Sequence, residues 1–124
     1  MKEDCKILVI DDSKTMYTMI TKFLMAEGYK NIDHAQNGQI GIDMLKNQKY
    51  DLVTLDVDMP VLDGFTTAQE MLKICPSLKI LFLSARQGEY YINKAKEIHI
   101  DNYLCKPFKP KQLIKAVSRI LDKE

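Results

Sequence analysis

Five short aliphatic runs, each followed by a longer stretch with helical spacing, constrain what this 124-residue chain can fold into. Lys6–Ile10 is a dense aliphatic run. Ser13 then offers a helix N-cap, and Met16, Ile20, Phe23 and Leu24 recur at helical spacing until Gly28. A weaker strand, Ile32–Ala35, precedes Asn37-Gly38 and a helix whose apolar positions are Ile40, Ile42 and Leu45. Leu52–Leu55 is the third strand. Beyond Pro60 and Gly64, Ala68, Met71 and Leu72 mark a helix that must stop before Pro76, because a residue preceding proline is steered away from helical ψ. Leu78–Leu83 and Asn102–Cys105 are the last two strands. Ile92, Ala95 and Ile98 mark the helix between them, and Leu113, Val117, Ile120 and Leu121 mark the helix at the end. Five βα units predict an α/β fold with a parallel, doubly wound sheet covered on both faces and joined by right-handed crossovers. The continuous aliphatic first and fourth strands suit interior positions.

Composition narrows the class. Hydrophobic residues make up 46% of the chain and charged residues 28%, as in an ordinary globular domain. The length suits a single domain over residues 1–124. The longest apolar runs, such as Ile7–Ile10 and Ile80–Leu83, are far too short to span a bilayer, and Met1 is followed by Lys2, Glu3 and Asp4 rather than an apolar leader. Eighteen basic and 17 acidic residues give a net charge of +1, so bulk charge points to neither nucleic acid nor an anionic membrane. Cys5, Cys75 and Cys105 are odd in number and widely spaced, without zinc spacing, which predicts free thiols in a reducing cytoplasm.

The strands empty into polar residues: Asp11-Asp12, Asp56, Ser84 and Lys106. In a parallel sheet these ends share one edge, where doubly wound folds bind ligands. Three carboxylates in a small space repel, so one protonates or a cation sits among them. Hard oxygen donors in a partly open site suit Mg²⁺, with Mn²⁺ as a substitute. His34 and His99 have no metal-ligand neighbours in the sequence. Cations around a carboxylate and a hydroxyl form equipment for phosphoryl transfer, and an ionised Asp56 can be the nucleophile. The Asp56-x-Asp58 spacing also opens haloacid-dehalogenase and EF-hand motifs, but Pro60 and Val61 occupy positions where those patterns require other residues.

Asp11-Asp12, the run Asp56-Val-Asp-Met-Pro-Val-Leu-Asp-Gly64, Ser84-Ala85 and Lys106-Pro107-Phe108 resemble the receiver domain of bacterial two-component response regulators, the CheY-like family. The resemblance covers the whole chain. It implies a flavodoxin-like fold with strand order 2-1-3-4-5 and a phosphoacceptor switch rather than a turnover enzyme. By resemblance, Asp56 takes a phosphoryl group from a histidine kinase or phosphotransfer protein. Asp12, Asp56 and the Asp58 carbonyl bind Mg²⁺ directly, and Asp11 acts through water. Ser84 and Lys106 contact the phosphoryl oxygens, Tyr103 is the aromatic switch, and the Lys106–Pro107 bond is cis. Asp58 and Arg86 occupy variable positions that tune the phosphoryl lifetime. His99 stands where relatives carry Gly, so it is expected at positive φ.

The expected output is the docking of a downstream protein on the surface of the fourth helix, fifth strand and fifth helix, by a cytoplasmic monomer with no direct nucleic-acid or membrane partner. Chemotaxis, transcription and phosphorelay outputs all stay open. Two other functions are compatible with the fold: a binding module indifferent to phosphorylation, and an enzyme acting on small phosphates.

Overall fold

The structure, a computed structural model, describes residues 2–85 and 88–122. After a 3₁₀ turn at Lys2–Asp4, five strands alternate with five helices. These are β1 (Lys6–Ile10), α1 (Lys14–Ala26), β2 (Asn31–Ala35), α2 (Gly38–Asn47), β3 (Leu52–Asp56), α3 (Gly64–Ile74), β4 (Ile80–Ser84), α4 (Glu89–Glu97), β5 (Tyr103–Cys105) and α5 (Pro110–Asp122). All strand pairs are parallel, in the order β2-β1-β3-β4-β5, as expected. β1 and β4 lie inside the sheet, and β3 occupies the middle with every residue buried, Asp56 included.

Two apolar layers sandwich the sheet. Leu8, Ile10, Val53, Leu55 and Phe82 face α2, α3 and α4, while Ile7, Val9, Leu52, Leu81 and Leu83 face α1 and α5. This is the alternation of successive side chains across a pleated strand. The helix signals at Ser13 and Gly28 act as expected, and two further caps appear. Ser13, Asn37 and Asp63 each accept a backbone N–H two or three residues into the helix they cap, and Gly28 ends α1 at φ 107°. His99 follows α4 with φ 64°, and the Lys106–Pro107 peptide is cis. The three cysteines are free thiols.

Ile40 departs from its expected place in the core and is 41% exposed. The buried stripe of α2 runs instead through Gly38, Gly41, Ile42 and Leu45. Helical geometry turns Ile40 about 200° from Ile42, so both cannot face the sheet. Gly41 occupies the inner face because the helix lies too close for a side chain. A Cβ there would stand 2.5 Å from Ile10 Cδ1.

Candidate functional site

Parallel pairing puts the carboxyl ends of β1, β3, β4 and β5 on one edge and gathers Asp11, Asp12, Asp56, Ser84 and Lys106 there. The β3–α3 loop is shaped by its own residues. Asp63 caps α3 by accepting the Thr66 amide at 2.8 Å, and the Gly64 amide donates to the Val57 carbonyl at 2.9 Å. That turn presses Gly64 against the backbone behind Asp56, where a Cβ would lie 2.4 Å from the Asp56 carbonyl oxygen. The tight turn places Asp58 above Asp56, and the Asp58 amide donates to Asp56 Oδ1 at 3.2 Å. Val61, at the loop tip, is held at φ 73° with 79% of its surface exposed.

One carboxylate oxygen from each of Asp11, Asp12 and Asp56 falls within 4.8 Å of the others. Asp11 and Asp56 are buried, while Asp12 is exposed at the mouth. Lys106 Nζ lies 3.2 Å from Asp11 Oδ2 and 3.6 Å from Asp56 Oδ2. The Lys106 amide donates to the Ser84 carbonyl at 2.7 Å, which ties the lysine's backbone to the end of β4. Burial pushes the Asp56 carboxyl up from its ordinary 3.8 to about 6. Lys106 pulls against that shift, and Asp11 adds to it. Three acidic oxygens against one ammonium leave surplus negative charge in a hard-oxygen pocket, a donor set that fits Mg²⁺ or Mn²⁺. No described His or Cys belongs to the group.

Tyr103 stands at the start of β5, its ring 6.1 Å from that of Phe82. Burial raises its phenol, and a hydrogen bond with Ser84 draws it partly back. The Tyr103 phenol and the Ser84 hydroxyl therefore already touch. Arg86, expected to flank the site opposite Asp58, lies outside the described residues. The sequence flags neither Tyr17 nor His34, yet both stand beside the site. Their rings stack at 3.8 Å, and His34 Nε2 lies 2.9 Å from the Asp11 carbonyl oxygen. No local motif signals this pair, because the contact joins β2 to the β1–α1 loop.

A buried carboxylate in an acidic cluster, with a hydroxyl and a lysine beside it, at the carboxyl edge of a 2-1-3-4-5 sheet is the arrangement of a class of signalling domain. The chain belongs to the response regulator receiver domain family, whose sequence model matches residues 7–118. It is similar to the chemotaxis protein CheY of Thermotoga maritima, 29% identical over 115 residues that cover 93% of this chain and 96% of that protein. CheY of Treponema pallidum is 32% identical over 118 residues, covering 94% of this chain and 82% of that one. The alkaline phosphatase synthesis transcriptional regulatory protein PhoP of Bacillus subtilis is 33% identical over 116 residues. There the match covers 94% of this chain and 48% of the regulator. The structure of chemotaxis protein CheY4 from Vibrio cholerae superposes with a TM-score of 0.89 at 27% identity, covering 94% of this chain and 98% of that one. Among the described residues no helix is long and apolar enough to cross a membrane.

Proposed function

We propose that the chain is a single receiver domain that takes a phosphoryl group onto Asp56 from the phosphohistidine of a histidine kinase or phosphotransfer protein. The observation that carries this reading is the buried Asp56 carboxylate, flanked by Asp11, Asp12 and Lys106, with Ser84 at the end of the neighbouring strand β4. An ionised Asp56 oxygen attacks phosphorus, and the phosphorus–nitrogen bond breaks. Its electron pair returns to the donor imidazole, which is protonated from solvent. Asp12, Asp56 and the Asp58 carbonyl are the groups that would hold Mg²⁺, with Asp11 acting through water. When bound, the ion supplies the positive charge that lets an anionic donor approach three carboxylates. Lys106 is placed to bind a phosphoryl oxygen from the side of Asp11 and Asp56.

The Ser84 hydroxyl carries the signal outward. It contacts Tyr103, and a phosphoryl group on Asp56 competes for it with acceptor oxygens bearing about −1.5 to −2 charge. Losing or reorienting that bond changes the Tyr103 position, and with it the α4-β5-α5 surface where a downstream protein docks. The acyl phosphate then hydrolyses, so the protein remains a switch. Asp58 and Arg86 set its lifetime, and dephosphorylation rates of D58A, R86A and the double variant measure their coupling. We place this monomeric activity in the cytoplasm, with no direct nucleic-acid or membrane partner.

Labelling with a small acyl phosphate tests the assignment. The native protein is expected to take up one equivalent with Mg²⁺ and none after chelation, and D56N none at all. Stoichiometric, Mg²⁺-dependent labelling of D56N refutes the acceptor assignment. An unlabelled native protein points to a phosphorylation-independent module, and phosphate release far beyond one equivalent without accumulation points to an enzyme.

A further inference from the structure

We infer that His34 is a positioning residue for the metal-binding loop, acting through the Asp11 carbonyl, an inference that rests on the Mg²⁺ reading proposed above. Asp11 is held at four atoms. Its amide donates to the Ala35 carbonyl at 3.1 Å, its Oδ1 accepts the Ser13 amide at 2.9 Å, and its Oδ2 pairs with Lys106 at 3.2 Å. The fourth is its carbonyl oxygen, 2.9 Å from His34 Nε2. A carbonyl only accepts, so Nε2 carries the proton and donates.

That carbonyl belongs to the peptide joining Asp11 to Asp12. Peptide planarity means that fixing its oxygen fixes the plane from which the Asp12 chain departs. Asp12 is the exposed member of the acidic group, so its carboxylate has the fewest constraints from packing. Asp11 itself is only 1% exposed, and without His34 its carbonyl would lose a donor at a place where water is scarce. The ring that donates is itself fixed. Tyr17 of α1 stacks on it at 3.8 Å with an interplanar angle of 13°. His34 is thus held between β2 and α1 and aimed at the loop that joins β1 to α1. Groups behind metal ligands act in this way, setting orientation without touching the ion.

Calorimetric titration of the full chain with Mg²⁺ tests the inference. His34→Phe retains an aromatic ring to stack on Tyr17 and removes the donor, and His34→Gln restores an N–H donor without the ring. His34→Leu is a second donor-free side chain should the phenyl ring not be accommodated. The donor-free variants should raise the Mg²⁺ dissociation constant about tenfold, while His34→Gln recovers most of the native affinity. Thermal unfolding in chelator should drop by a few degrees for both donor-free variants, because the Asp11 carbonyl is left without its donor. The titrations are therefore run well below every melting temperature, where all variants are folded and a loss of Mg²⁺ affinity reports on the loop rather than on unfolding. Native affinity in a folded donor-free variant overturns the inference and leaves the proposed function standing. A native protein that takes up no Mg²⁺ overturns the metal reading and this inference together.

Discussion

Replacing Asp56 by Asn should stabilise the protein while abolishing phosphoryl acceptance. The carboxyl titrates near 6 in the folded chain instead of 3.8, because burial and Asp11 disfavour its charge more than Lys106 favours it. A raised carboxyl pKa means that the native state binds more protons than the unfolded state between these values, so stability falls as pH rises through that window. The contribution is fully present below about pH 4 and lost above about pH 6. The displacement is equivalent to about 3 kcal/mol at neutral pH. Asn keeps the size and polarity of the protonated side chain without the charge. D56N should therefore gain about 2–3 kcal/mol at pH 7.5 in chelator, or about 10 °C in melting temperature for a chain of this length. The assay is urea and thermal unfolding of both proteins from pH 4 to pH 8 in chelator. The two curves should converge near pH 4 and separate by pH 7, and saturating Mg²⁺ should narrow the gap by binding the native protein. Equal stabilities at pH 7.5, or a separation that grows toward acid, would refute the claim that Asp56 is a strained, buried charge.

Gly64→Ala should destabilise the fold by about 2–4 kcal/mol in urea unfolding, since its Cβ meets the Asp56 carbonyl oxygen at 2.4 Å and backbone must move. Val61→Asn should stabilise by about 1 kcal/mol in the same assay, because a β-branched residue at φ 73° is strained and the side chain is too exposed to lose much packing. Lys106→Ala should leave the fold intact, slow acyl-phosphate labelling at least tenfold, and raise the Asp56 carboxyl further above 6, as read by carbon-13 NMR titration.

Local periodicity and turn chemistry alone settle the succession of elements. The 3.6-residue and 2-residue patterns report which face of each segment is apolar, and Ser13, Pro76 and Gly28 mark helix ends wherever the chain later packs. Residues that terminate strands were legible as a site for the same reason. A parallel sheet sends all its carboxyl ends to one edge, so Asp11, Asp12, Asp56, Ser84 and Lys106 meet regardless of detail. The strand order and the cis bond at Pro107 came from family resemblance, since no local pattern encodes which strands become neighbours. Packing decided the rest. Ile40 turns outward because Gly41 must approach Ile10, a distance that the helix alone does not define. The acidity of Asp56 depends on how completely the neighbouring strands exclude water from it, and desolvation is a property of the assembled surroundings. The His34 contact with the Asp11 carbonyl and the Tyr103 contact with Ser84 each join residues about 20 positions apart. Such hydrogen bonds need two elements brought to one distance and angle, and only the tertiary structure sets both.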